Sequence, residues 1–153
     1  MPDARDVLPL VDEHARVVDA SPERAWAALV AALPRTFGGK GAERYARLIA
    51  CDPASPQGAF PASGSALAGF RVARVDAPRE LVLVGRHRFS TYALTFRLDA
   101  LEGGRVTRVR AETRAVFPGF LGRAYWLAVI GTRGHVFLLR RLLRAVAHAA
   151  EKA

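Results

Sequence analysis

The sequence predicts an α+β fold: a strand and a helix, then a run of antiparallel strands, then a long C-terminal helix. Three observations carry this. From Leu67 to Phe117 apolar and polar residues alternate with the period of two that marks half-buried strands. After Ser21, and again after Pro118, the apolar residues recur at three- and four-residue spacing instead. Short clusters such as Ala77-Pro78-Arg79 and Glu102-Gly103-Gly104 punctuate the alternating stretch and suit hairpin turns.

A chain of 153 residues, 51% of them hydrophobic, has the size and apolar content of one domain spanning 1–153. The uncharged apolar stretch Ala124–Thr132 falls well short of the roughly 20 residues that a membrane-crossing helix needs. The first residues, MPDARDVLPL, lack the basic start and apolar run of a signal peptide. Cys51 is the one cysteine, so no internal disulfide can form. These features together point to the reducing cytoplasm. The net charge of +9 invites an anionic partner. Lysine, however, occurs only at Lys40 and Lys152, and arginine and alanine dominate. That bias is the codon signature of a GC-rich bacterial genome, so most of the charge reads as solvated surface and nucleic acid as an unlikely partner.

His14 to Ala20 reads as the first strand. Ser21 is a good N-cap, Pro22 occupies the first helical position, and Glu23 suits the helix dipole. Trp26, Leu29, Val30 and Leu33 then form one apolar stripe, and Pro34 is expected to end the helix. Residues 35–44 read as a loop around Gly38-Gly39-Lys40-Gly41, with room for a short helical turn, and Ala46 to Cys51 as a short strand. Residues 52–65, rich in Pro and Gly, form a loop.

Strands are expected at about 67–76, 80–88, 90–101 and 105–117, with the break at Phe89-Ser90 reading as a bulge or bend. In the third, Tyr92, Leu94, Phe96 and Leu98 form the inward face. In the fourth, Arg108, Arg110, Glu112 and Arg114 form the wet face, where Glu112 reads as a cross-strand ion-pair partner. The last helix is expected over about 119–150. Leu127, Ile130, Leu138, Leu142, Ala145 and Ala149 would turn toward the sheet, and Gly131 and Gly134 would mark close packing or cavity room rather than a break.

This order of elements, with Asp19-Ala20-Ser21-Pro22-Glu23-Arg24-Ala25-Trp26 after the first strand, resembles the START/Bet v 1-like superfamily, also called SRPBCC or polyketide cyclase-like. The resemblance covers about residues 11–150 and is weakest over 37–65. It implies a helix-grip fold, in which a curved sheet wraps the last helix and leaves a cavity between them. It also implies binding of lipids, sterols, polyketides or other hydrophobic molecules, with cyclisation or hydration in some members. No catalytic motif is common to the superfamily, so no catalytic residue carries over.

Within such a cavity the candidate ligand-binding residues are His87, Tyr92, Leu94, Phe96, Tyr125, Trp126, Gly131 and His135. Histidine titrates near neutrality, so an inward His87 or His135 can serve as an acid/base or as a structural hydrogen-bond partner. Tyr125 and Trp126 either cap the cavity or pack in the core. His14, His87, His135 and His148 lack ligand spacing, so no metal site is expected. Gly38-Gly39-Lys40-Gly41 lacks the P-loop spacing, Ser63-Gly64-Ser65 is no nucleophile elbow, and no cofactor motif appears. The leading expectation is therefore a carrier of a small hydrophobic ligand. The alternatives are a cyclase or dehydratase using His87, Tyr92 or His135, and a binder of nucleic acid or anionic membrane (at most a peripheral contact) through the Arg-rich outer face. Nothing in the pattern fixes an oligomeric state.

Overall fold

The computed structural model describes residues 7–153. Its elements are β1 (Leu10–Val18), α1 (Pro22–Phe37), α2 (Lys40–Leu48), β2 (Ala66–Leu67), β3 (Phe70–Asp76), β4 (Glu80–His87), β5 (Ser90–Leu101), β6 (Val106–Val116), α3 (Gly119–Trp126) and α4 (Gly134–Lys152). A π-helical segment, Leu127–Gly131, joins the last two. The strands form one antiparallel sheet in the order β1-β6-β5-β4-β3-β2. The first strand thus pairs with the last, and α1 and α4 pack together against the inner face of the curved sheet. This is the helix-grip architecture expected from the sequence.

Alternation on β5 and β6 decides which side chains enter the core. Leu94, Phe96, Leu98, Val109 and Ala111 are buried there, against Leu29 and Leu33 of α1 and Leu139, Leu142, Leu143 and Val146 of α4. Each such large side chain is worth about 1.5–3 kcal/mol by burial. On the opposite face Arg97 reaches Glu80 at 3.1 Å and Glu112 at 3.3 Å, Arg110 reaches Asp99 at 2.7 Å, and Arg114 reaches Glu112 at 2.7 Å. Burial raises the pKa of Glu112, but the Arg114 and Arg97 guanidiniums outweigh it and hold the carboxyl below its ordinary value.

At the start of α1 the Arg24 N–H donates to Ser21 Oγ at 3.4 Å, and Pro22 sits in the first turn. The helix does not end at Pro34; it continues to Phe37 and is capped by Gly38. An interior proline costs about 3 kcal/mol. The extra turn is held by Phe37, whose ring packs 4.8 Å from Phe70.

In place of the expected loop over 35–44 and strand over 46–51, residues 35–37 end α1, Lys40–Leu48 form α2, and a turn follows. Ala42, Tyr45, Ala46 and Ile49 lie at helical spacing and all face the space beside the sheet. The break at Phe89-Ser90 is a tight hairpin rather than a bulge, with His87 paired to Ser90.

The helix expected over 119–150 is interrupted at Gly131–Gly134, where the glycines mark a break and not close packing. Arg133 adopts a left-handed conformation, φ 60°, between the π segment and α4. A π turn inserts an extra residue and rotates everything that follows. The buried stripe of α4 is accordingly Leu139, Leu142, Leu143, Val146, Ala147 and Ala150. Leu127, Ala145 and Ala149, expected to face the sheet, are exposed.

Candidate ligand cavity

Between the sheet, α2 and the α3–π segment lies a cavity of about 380 Å3. Its wall is largely carbon, including Phe37, Ile49, Phe70, Leu94, Ile130 and Leu138. A chain of rings crosses it. Phe70 meets Tyr92 at 5.3 Å, Tyr92 meets His87 at 5.4 Å, and His87 meets Tyr125 at 4.6 Å between centroids. Tyr125 in turn stacks on Phe89 at 5.2 Å.

The polar atoms of the wall are almost all committed to one another. Tyr92 Oη donates to the Gly69 carbonyl at 2.5 Å, with Cys51 Sγ 3.9 Å away. The hydroxyls of Tyr45 on α2 and Tyr125 on α3 lie 2.9 Å apart and tie the two helices across the cavity. The Phe89 N–H donates to His87 Nδ1 at 3.0 Å, so the neutral ring carries its proton on Nε2. On the β6 side His135 Nε2 is 3.0 Å from Thr113 Oγ1 and 3.4 Å from Asp12 Oδ1. Asp12 also holds His14 at 3.1 Å. Among the described residues no buried side-chain nitrogen or oxygen lacks a partner.

These surroundings set the ionisation of the wall. Burial pushes the Tyr92 phenol far above its ordinary pKa, and the neighbouring Cys51 adds to this. Burial and the hydrogen bond to Tyr45 raise Tyr125 likewise, and burial raises the Cys51 thiol. Burial also lowers His87, because it disfavours the imidazolium. The wall is therefore neutral at physiological pH on its β4, β5 and α3 sides.

A depressed histidine makes the unfolded chain the better proton binder as pH falls below about 6.5. The stability associated with His87 is therefore complete above that pH and is lost as pH falls toward the lower folded-state value. Urea denaturation over a pH series should show a shallower acid-side loss in His87→Gln than in the parent chain; equal slopes would assign the loss elsewhere.

Of the residues expected at a binding site, His87, Tyr92, Leu94, Tyr125 and His135 lie on this wall. Their hydrogen bonds place His87 and His135 in separate clusters, not in one acid/base pair. Phe96 is not on the wall: it is fully buried in the core beyond it. Trp126 is 41% exposed and turns away from the cavity. Gly131 is exposed too, and a Cβ there would meet only Leu127 Cδ2 at 3.8 Å, so it marks no close packing. Gly134 does border the cavity, with similarly loose surroundings. The wall also includes Ala46 and Ile49, expected on a short strand, Tyr45 just before them, and Thr113 from the inner face of β6.

Among the described residues no helix is long and apolar enough to cross a membrane, and no three His, Cys, Asp or Glu side chains converge as a metal site. No family model matches the chain, and no curated protein matches it. Its fold is similar to several solved structures. One is a protein from Arthrobacter aurescens, with TM-score 0.58 and 13% identity over 96% of this chain and 93% of that one. Another is protein CV1439 from Chromobacterium violaceum, with TM-score 0.55 and 15% identity over 94% and 99%. A third is CalU16 from Micromonospora echinospora, with TM-score 0.51 and 16% identity over 92% and 83%. At these identities the likeness establishes a shared fold.

Proposed function

We propose that this chain is a START/Bet v 1-like protein that binds one small, largely apolar molecule between the sheet, α2 and the α3–π segment. The observation that carries this reading is a cavity of about 380 Å3 with a wall of hydrocarbon and aromatic rings whose hydroxyls already bond to protein partners. A volume of a few hundred Å3 is ligand-sized. A wall whose tyrosine hydroxyls are internally satisfied offers an apolar guest burial at little polar cost. The segment Asp19–Trp26, which resembles the superfamily, and the shared fold of CalU16 agree with it.

Neutral N-phenyl-1-naphthylamine is a suitable probe, because its fluorescence rises on leaving water. It should bind at one site per chain with a dissociation constant around the micromolar range, about −8 kcal/mol. Fluorescence that rises linearly without saturating would remove this reading.

A second reading, acid/base catalysis, is favoured by one contact. The Asp12 carboxylate only accepts, which places the Nε2 proton of neutral His135 toward it and leaves Nδ1 as the ring's acceptor. Binding at the outer sheet face has less support, since Arg97, Arg110 and Arg114 there are paired with carboxylates.

A further inference from the structure

A second concavity, an open groove of about 650 Å3, lies between the edge strand β1 and α4. It gathers Arg16, Arg133, Arg140 and Arg144 around an apolar floor of Val136, Phe137 and Leu143. The sheet arginines Arg97, Arg110 and Arg114 each reach a carboxylate, but the side chains of these four make no ion pair or hydrogen bond among the described residues. The groove's acidic side chain, Glu13, is held by Arg110 at 3.8 Å, and its histidine, His14, by Asp12. No Asp or Glu occurs between Glu112 and Glu151, so the helical arm that forms this side of the groove is cationic throughout. Like charges brought together without counter-charges repel, which an anion in the groove would relieve.

The floor adds a second requirement. Phe137 is 62% exposed although it stands beside the buried Leu143. An inorganic anion would leave that ring in water, whereas an attached hydrocarbon chain would cover it. Guanidinium groups suit the planar, paired oxygens of phosphate or carboxylate. We infer that the groove between β1 and α4 binds an anionic amphiphile, with a phosphate- or carboxylate-type head on Arg16, Arg140 and Arg144 and its apolar chain over Val136 and Phe137. This site is separate from the cavity, and neither assignment depends on the other.

The test is titration of the full chain with octyl phosphate, inorganic phosphate, octanol and phosphatidylglycerol vesicles, followed by amide chemical shifts. Octyl phosphate should bind at least about tenfold more tightly than inorganic phosphate or octanol, more weakly as salt is added, and should move the amides of Arg16, Val136, Phe137 and Arg140. The exposed double variant Arg140→Gln/Arg144→Gln should weaken it by about tenfold or more, while Arg86→Gln on β4, outside the groove, should not. Phe137→Ser should weaken octyl phosphate and leave inorganic phosphate unchanged. Shifts confined to His87 and Tyr125 would assign octyl phosphate to the cavity and overturn the groove site. Equal affinity for phosphate and octyl phosphate would overturn the amphiphile, and binding of vesicles alone would make the groove a membrane contact instead.

Discussion

Replacing Ala46 by Trp should abolish binding of a neutral aromatic probe while leaving the protein folded. Ala46 is 3% exposed and lies on the cavity wall in the middle of α2, between Tyr45 and Ile49. An indole built there has space in front of it, whereas a solid core would have to deform. The expected effect is a loss of at least tenfold in affinity for N-phenyl-1-naphthylamine, about 1.4 kcal/mol or more. The stability change should stay below the roughly 1–3 kcal/mol typical of overpacking. Ala25→Trp is the contrast. Ala25 is fully buried in the packed core under α1, where the same enlargement meets no cavity. It should destabilise strongly. If Ala46→Trp unfolds the protein as readily as Ala25→Trp, the space beside α2 is filled in solution and the ligand-binding reading fails. If it folds and still binds the probe normally, binding takes place elsewhere.

The wall of this cavity was only partly legible in the sequence, and the boundary follows the physics of each element. On β5 and β6 the period of two assigns every side chain to one face or the other. Tyr92, Leu94 and the outward Glu112 could therefore be placed without knowing the sheet order. His87 followed from the same parity on β4. The helical wall was harder. Gly38-Gly39-Lys40-Gly41 reads as a loop because glycine is a poor helix former, and it concealed the spacing of Ala42, Tyr45, Ala46 and Ile49. A search for i, i+3, i+4, i+7 repeats of small and aromatic residues would have found α2. In the C-terminal arm, a helical stripe projected through the Gly131–Gly134 break loses its phase. The projection from Leu127 to Ala149 therefore mixed exposed and buried positions. The ring contacts that build the cavity from Phe37, Phe70 and Tyr125 join residues distant in sequence. No local pattern encodes such contacts.

Gly85→Ala should lower stability by about 2–4 kcal/mol, although a glycine inside a strand usually weakens it. The sign is decided by what faces Gly85. A Cβ there would lie 2.2 Å from the Gly69 carbonyl oxygen and 2.7 Å from both Cε2 and Oη of Tyr92. Gly69 itself has φ +86°, and its carbonyl accepts the Tyr92 hydroxyl. Backbone and ring must both retreat, which breaks that hydrogen bond. Overpacking contributes about 1–3 kcal/mol and the lost hydrogen bond about 1 kcal/mol more. For a chain of this length that is a fall in melting temperature of roughly 4–16 °C. Tyr92→Leu alone should cost less. Combined with Gly85→Ala it should be less than additive, because the double variant removes one of the two groups that the new methyl strikes. A neutral or stabilising Gly85→Ala would mean that the Gly69 backbone does not lie against β4. Tyr92 would then be free to present its hydroxyl to a ligand, and the cavity would have a polar wall where this structure gives it a satisfied one.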